Sequence, residues 1–117
     1  MRILLADAQG RNVLDAIIPG GAGWSENTTG TNWHYDGPGD IGGITRVRIV
    51  KRPAPSRLRF LVIGKHGDYA MTPAQVPLVG TMVIDSPVAR TGQCGEIRFR
   101  EPGRCACDAR STTLKCR

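Results

Sequence analysis

The feature that most constrains this chain is a pair of alternating segments on either side of a proline-containing turn. In "GGITRVRIVKRPAPSRLRFLVIGKHG", apolar and polar residues alternate from Thr45 to Ile49 and again from Arg57 to Val62. The residues Pro-Ala-Pro-Ser separate the two segments. Two runs with a period of two residues around a turn signal predict a β-hairpin.

The register of this hairpin follows from its turn. If the turn is centred on Ala54 and Pro55, the predicted opposed pairs are Val47 with Val62, Ile49 with Phe60 and Arg52 with Arg57. Directly opposed residues of an antiparallel pair share one face of the sheet. One face is therefore apolar and carries Val47, Ile49, Leu58, Phe60 and Val62. The opposite face, which we call the basic face, carries Arg46, Arg48, Arg52, Arg57 and Arg59. Both strands give the same division, which supports the hairpin.

The basic face has two interpretations. From Ile41 to Gly67 the chain has seven Lys or Arg residues and no acidic residue, and the formal net charge of the chain is +6. The simpler interpretation is a solvated face whose long side chains cover apolar neighbours and discourage edge association. The alternative is an anion-binding patch for an acidic polysaccharide, a lipid phosphate or a nucleic acid. Nucleic acid is the least favoured partner, because the only aromatic residue of the hairpin, Phe60, lies on the other face.

Other segments predict further short strands. "LVGTMVID" is a mostly apolar run typical of a central strand, "CGEIRFR" alternates with Ile97 and Phe99 inward, and "RCAC" and "TTLKC" are short. "RNVLDAIIPG" fits either a short helix or a strand, and the β character of the remaining chain favours a strand. About seven to nine strands separated by Gly and Pro turns predict an all-β antiparallel sandwich, Ig-like or jelly-roll-like, with a small barrel as the alternative. No linker divides the chain, so residues 1–117 are expected to form a single domain.

A second set of candidate residues lies in "TNWHYDGPGDIGG". Trp33 and Tyr35 occupy alternate positions of a predicted strand, and Trp24 lies upstream on the strand expected to pair with it. Aromatic rings contribute much of the buried area of a small core, and this chain has only two each of Trp, Tyr and Phe. We therefore expect these three rings in the core, with a sugar-stacking surface as the alternative. If the rings point inward, His34 is a surface residue.

The same stretch contains two aspartates, Asp36 and Asp40, on either side of Gly37-Pro38-Gly39. Two carboxylates on a Gly-rich loop are able to bind Ca²⁺. The loop lacks the repeated acidic residues of a dedicated calcium loop, and Asp and Gly also occur in turns for local reasons. The turn is the favoured interpretation, and we predict neither a metal site nor a cofactor.

The sequence offers little support for catalysis. The motifs G-x-S-x-G, H-E-x-x-H and the Walker loop are absent. The two histidines are His34 and His66, and although His66 lies close to Asp68 in sequence, no serine or cysteine is placed nearby as a nucleophile. We therefore expect that the chain is not an enzyme.

All four cysteines lie in the last 24 residues of the chain: Cys94, Cys105, Cys107 and Cys116. An even number of clustered cysteines in a small domain predicts two disulfides and an oxidising compartment. A four-cysteine zinc site is less favoured, because such sites use closely spaced C-x(2–4)-C pairs and the gaps here are ten, one and eight residues. Free thiols are the third interpretation.

The disulfide pairing depends on the turns between these cysteines. A turn around Arg110 and Ser111 would place Cys105 opposite Cys116, at a separation that suits a bridge. This favours Cys105–Cys116 and leaves Cys94 for Cys107. The alternative joins Cys94 to Cys105 and Cys107 to Cys116, and it stays open because cysteines also join strands of different sheets.

The N-terminal segment bears on the compartment. In "MRILLADAQG" the apolar stretch is too short for a signal peptide, and no small-residue cleavage site follows. We therefore expect either a cytosolic chain or a mature or excised part of an exported protein, and the cysteines favour export. No apolar run approaches the roughly 18 residues that cross a bilayer as a helix, so no membrane span is predicted.

A likeness to a known module extends over about residues 24–117. The segments that carry it are Trp33-His34-Tyr35, Gly43-Ile44-Thr45, the hairpin, Pro77-Leu78-Val79, Thr91-Gly92-Gln93-Cys94-Gly95-Glu96 with Phe99, and Ser111-Thr112-Thr113-Leu114-Lys115-Cys116. On these segments the chain resembles an uncharacterised C-terminal β module of large predicted secreted proteins of deltaproteobacteria and related environmental bacteria. The resemblance implies export and a β architecture but no reaction, and it agrees with the Cys105–Cys116 spacing. Cys107 departs from the module's pattern, in which that position is often apolar.

These observations predict a secreted or cell-surface, non-catalytic β module with a structural or adhesive role. Its expected partners are other copies of itself, neighbouring surface modules or an acidic polysaccharide. The first alternative is a lectin-like carbohydrate-binding module that uses Trp24, Trp33, Tyr35, Asp36 and Asp40. The second is an extracellular filament subunit, in which residues 1–18, with the apolar run "RILLA", form an exchange or edge strand that completes a neighbour's sheet.

Overall fold

Ten β-strands form the regular secondary structure of the residues described in the computed structural model. The structure describes residues 1–53, 57–65, 67–69, 75, 77–84, 94–100, 105–107 and 114–116, and for 105–107, 114 and 115 it describes the backbone alone. The strands are β1 (Arg2–Ala6), β2 (Asn12–Ile17), β3 (Trp24–Glu26), β4 (Asn32–Asp36), β5 (Ile44–Arg52), β6 (Arg57–Gly64), β7 (Leu78–Val83), β8 (Cys94–Phe99), β9 (Cys105–Cys107) and β10 (Leu114–Cys116). Within these ranges no residue lies in an α-helix, and no helix capable of spanning a membrane is found.

The strands form two four-stranded antiparallel sheets and one small two-stranded sheet. The first sheet has the order β2-β1-β7-β8, and the second has the order β3-β4-β5-β6. The small sheet pairs β9 with β10. The predicted all-β antiparallel sandwich is confirmed, and the segment "RNVLDAIIPG", which also fitted a helix, contributes the strand β2.

The first sheet is formed by two separate parts of the chain, β1–β2 and β7–β8. The chain forms the β1–β2 hairpin, crosses to the second sheet for four sequential strands, and returns with β7, which pairs with β1. β1 is therefore an interior strand, hydrogen-bonded to β2 on one side and β7 on the other. The edge position in the N-terminal region belongs to β2.

The core lies between the facing sides of the two sheets, which we call the inner faces. The buried cluster joins residues of both sheets: Ile3, Ala16, Ile18, Tyr35, Ile44, Val47 and Ile49. The largest fully buried side chains are those of Ile18, Ile44, Leu78 and Val47. Each such side chain contributes roughly 1.5–3 kcal/mol by leaving water, so the alternating pattern of the strands supplies the main stabilisation of the sandwich.

The β5–β6 hairpin has the predicted register. Val47 pairs with Val62, Ile49 with Phe60 and Arg52 with Arg57. Near the start of β5 the register shifts between Ile44 and Arg46, which places an irregularity at Thr45. Because this shift lies beyond the alternating residues, the division into an apolar inner face and a basic outer face is the one expected from the sequence.

The β4–β5 loop joins two strands of the second sheet and approaches the first sheet near Leu14 and Ala16. Gly42 and Gly43 adopt positive φ angles of 56° and 72°, where residues with a Cβ are strained. A Cβ on Gly42 would lie 2.7 Å from the movable end of the Leu14 side chain in the first sheet, whereas a Cβ on Gly43 would lie 2.8 Å from the backbone Cα of Gly67. The buried Tyr69 donates a hydrogen bond of 3.0 Å from its hydroxyl to the carbonyl of Gly42 and fixes this approach.

A buried carboxylate organises the β1–β2 turn. Asp7 Oδ1 accepts hydrogen bonds of 2.9 Å from the backbone amides of Gln9 and Arg11, and Oδ2 accepts one of 2.8 Å from Arg11 Nε. Gln75 Nε2 adds a longer contact of 3.4 Å. Burial would raise the pKa of Asp7, but these hydrogen bonds outweigh it and hold the pKa below its usual value. The charged side chain therefore stabilises the turn, and both of its oxygens accept hydrogen bonds from these donors.

Candidate functional site

The basic face is the outer face of the second sheet, and its arginines form a contiguous group. Arg52 lies directly opposite Arg57, and Arg59 lies opposite Val50. Since residues two apart on a strand share a face, Arg59 is a diagonal neighbour of both Arg48 and Arg52. The arginines predicted at this face are thus brought together on two adjacent strands, and all of them are exposed.

Only one member of the basic face has an acidic partner among the described residues. Arg46 Nε lies 2.7 Å from Asp36 Oδ1 across the β4–β5 pair. The other four arginines, Arg48, Arg52, Arg57 and Arg59, have no carboxylate within 4.0 Å in the described part of the chain. Like charges directly opposite on a sheet are unfavourable, so this arrangement leaves uncompensated positive charge for an anionic partner.

β4 extends the basic face with polar residues. His34 lies opposite Arg48 on one side and Ser25 on the other, and it points to the outer face as predicted. Asn32 lies opposite Val50 on the same face. These side chains offer hydrogen-bond donors and acceptors next to the arginines, which suits a polar, hydroxyl-rich anionic polymer.

The three aromatic residues lie together on the inner face. Tyr35 is 5% exposed, and its ring centroid lies 5.5 Å from that of Trp24. Trp24 Nε1 donates a hydrogen bond of 2.9 Å to the carbonyl of Pro19. Trp33 is partly buried and packs, like Trp24, against the core cluster. Of the three rings predicted to lie in the core, Tyr35 is a buried member of the core cluster, and Trp24 and Trp33 are partly buried against it.

The two aspartates of the lectin-like alternative, Asp36 and Asp40, do not lie on the same face as these rings. Asp36 points to the outer face, where it pairs with Arg46, while Tyr35 beside it points inward. Asp40 is an exposed residue of the following turn, which is closed by a hydrogen bond of 3.1 Å from the amide of Gly43 to the carbonyl of Gly39. No cluster of three metal-binding side chains occurs among the residues that the structure describes. The residues of that alternative are thus split between the two faces.

The cysteines differ in part from the predicted pairing. Cys94 is an exposed free thiol at the start of β8, so the predicted Cys94–Cys107 bridge and the pairing of all four cysteines are wrong in this structure. Cys94 belongs to the first sheet, opposite Val83, whereas Cys107 lies in the separate small sheet, opposite Leu114. Cys105 does lie opposite Cys116, as predicted. Cys116 is disulfide-bonded, and its partner's side chain lies outside the described residues.

A cleft of about 580 Å³ opens between the inner faces at one end of the sandwich. Its apolar lining comprises Met1, Trp24, Trp33, Ile49, Leu58 and Ile84. Its basic lining comprises Lys51, Arg52 and Arg57. Trp24, Trp33, Arg52 and Arg57 were candidate binding residues from the sequence, whereas Lys51, Met1 and Ile84 were not. One signal was available, because the predicted register places Lys51 opposite Leu58 at the end of the apolar face.

His66 and the residues 54–56 of the hairpin turn lie outside the described residues. Asp68, the predicted neighbour of His66, is exposed.

Comparison of the chain with protein families, with curated proteins and with solved structures gave no match.

Proposed function

We propose that this chain is a secreted or cell-surface, non-catalytic β module with an adhesive role, which binds an acidic polysaccharide through its basic face. The observation that carries the proposal is the group of four arginines without an acidic partner among the described residues, Arg48, Arg52, Arg57 and Arg59. They stand on the two longest strands of the second sheet.

The geometry of the basic face suits a repeating polyanion. Guanidinium groups bind carboxylate and sulfate groups through two parallel hydrogen bonds, and they keep their charge at every physiological pH. Each exposed ion pair contributes little alone, about 0–1 kcal/mol. Several such contacts along one polymer add together, so a flat row of arginines favours a long anionic chain over a single small ion.

The secreted location rests on the cysteines and on the resemblance to a secreted bacterial module. A disulfide at Cys116 persists in an oxidising compartment. The lectin-like alternative is less supported, because its aromatic rings and Asp36 face opposite sides of the sheet. The filament alternative is less supported too, because β1 has partners within its own chain on both sides.

The proposal is tested by comparing two double variants on immobilised alginate, with dextran as the uncharged polymer. Arg48→Gln with Arg59→Gln removes two charges from the basic face. The control, Arg98→Gln with Arg100→Gln, removes two exposed charges on and just after β8. We expect the first variant to lose at least about threefold in affinity for alginate and the control to retain it, since each lost contact is worth a few tenths of a kcal/mol or more. Equal affinity of both variants, or equal binding to dextran, would contradict the proposal.

A further inference from the structure

The inner faces of the two sheets separate at one end of the sandwich. On the second sheet the apolar face continues past the core to Leu58, which is 46% exposed and lies opposite Lys51. On the first sheet Met1 and Ile84 flank the same space. Apolar side chains from both sheets therefore line the cleft.

The size of this cleft sets it apart from ordinary packing defects. Protein interiors are close-packed, and the voids left in them are rarely larger than a water molecule. The cleft holds about 580 Å³, which lies within the roughly 300–1,000 Å³ typical of small-molecule sites. Its lining is mostly apolar and includes both tryptophans of the chain, so it favours an apolar occupant over water.

The charges at the cleft limit the class of occupant. Lys51, Arg52 and Arg57 belong to its lining, and no described lining residue is acidic. All three are exposed, so they stand at the mouth rather than in the depth. An occupant with an apolar body and one anionic group would satisfy both parts of the lining.

A peptide strand is a poorer fit to this surface. Trp33 and Ile49 lie on β4 and β5, which are interior strands with neighbours on both sides. Their backbone groups are engaged within the sheet, so these two strands offer the cleft side chains only, while the edge strands β3 and β6 contribute Trp24, Arg57 and Leu58 to the lining. On the interior strands, recognition comes from apolar contact and from charge.

We propose that the cleft binds a fatty acid, with its acyl chain against Trp24, Trp33 and Leu58 and its carboxylate beside Lys51 and Arg57. This site adjoins the polysaccharide site but uses the inner face of the second sheet for its apolar contacts. The two sites share Arg52 and Arg57 at their border, so the test relies on Leu58 and Lys51, which belong to the cleft alone.

The probe is dodecanoate, titrated below its micelle-forming concentration and followed by tryptophan fluorescence. Both tryptophans of the chain line the cleft, so the emission reports on this site. We expect a saturable change with dodecanoate and at least about tenfold weaker binding of dodecanol, since a tenfold change corresponds to about 1.4 kcal/mol of lost charge interaction. Equal affinity for the acid and the alcohol would overturn the role of the basic residues.

The variants use a matched pair of leucines on β6. Leu58 and Leu61 are 46% and 52% exposed but lie on opposite faces of the strand. Leu58→Glu should weaken dodecanoate binding at least about tenfold, because it removes an apolar contact and adds a repelling charge. Leu61→Glu should leave binding unchanged, and circular dichroism checks that both variants fold.

The charge is tested with Lys51→Gln against Lys65→Gln, an exposed lysine outside the cleft lining. Only Lys51→Gln should weaken the binding of dodecanoate. No fluorescence change with dodecanoate, or equal effects of the two leucine variants, would overturn the proposal. A stable dimer that Leu58→Glu dissociates would also overturn it, by showing that a second copy fills the cleft.

Discussion

The same conservative substitution on opposite faces of β5 tests the register on which the basic face depends. Val47 lies on the inner face between Tyr35 and Val62 and is 0% exposed. Val50 lies on the outer face between Asn32 and Arg59 and is partly exposed. Threonine has nearly the shape of valine and is well suited to a strand, so Val→Thr mainly replaces one methyl group with a hydroxyl.

The burial of the two positions predicts very different costs. At position 47 the hydroxyl would be buried among apolar side chains, which costs about 1–3 kcal/mol when no hydrogen bond compensates it. At position 50 the hydroxyl would reach water, and surface changes of this kind are usually within about 0.5 kcal/mol. For a domain of this length about 1 kcal/mol lowers the melting temperature by roughly 4 °C.

The assay is thermal unfolding followed by circular dichroism, with tryptophan fluorescence as a second probe. Val47→Thr should lower the melting temperature by about 4–12 °C, and Val50→Thr should change it by less than about 2 °C. A shift of one residue in register would exchange the two faces. Equal losses, or a larger loss for Val50→Thr, would therefore refute the assignment of the arginines to an exposed face.

Two further outcomes concern acid and the cysteines. Arg2 donates hydrogen bonds that lower the pKa of Asp15, and the pKa of Asp7 is also lowered because its hydrogen bonds outweigh burial. Carboxyls with a lower pKa in the folded state contribute stability above the unfolded value of about 4 and lose it as the pH falls through the folded pKa. The melting temperature should therefore fall below about pH 4, less steeply in Asp7→Asn, and an unchanged slope in this variant would contradict the assignment. Alkylation without reductant should modify Cys94 but not Cys116, and modification of Cys116 would contradict its disulfide.

The hairpin shows what local sequence is able to predict. Its turn and its two alternating segments lie within about 25 residues, so pleat and turn together determine which residues are opposed. The basic face and the inward aromatic residues followed from this local rule. The pairing of β1 with β7 did not follow from this rule, because β7 lies far along the chain and no local signal links the two strands.

The lectin-like site and the Cys94–Cys107 bridge, both grouped from the sequence, differ from the structure. In both cases, closeness along the chain did not place the residues on the same face of the same sheet. The lectin-like site grouped Tyr35 with Asp36 because they are neighbours in sequence, but successive side chains of a strand point to opposite faces. The Cys94–Cys107 bridge was assigned by elimination once one hairpin had been paired. A turn constrains only the two strands that it joins, and Cys94 lies in another sheet.

The cleft depends on both local and distant pairing. Lys51 and Leu58 could be placed at the end of the apolar face from the hairpin alone. The opposite wall, with Met1 and Ile84, belongs to the first sheet and required the packing of the sandwich. For this cleft between two sheets, local sequence therefore predicts the residues of one wall but not those of the opposite wall.

The central claim, that the basic face binds an acidic polysaccharide by charge, is tested most directly by the salt dependence of alginate binding. The dissociation constant is measured at several NaCl concentrations for the wild-type chain, for Arg48→Gln with Arg59→Gln, and for Arg98→Gln with Arg100→Gln. Binding that releases counterions weakens linearly on a log–log plot, with a slope that follows the number of charges engaged. The account predicts a smaller slope for the Arg48 and Arg59 variant alone. A slope that is the same in all three proteins, or binding that salt does not weaken, would contradict it.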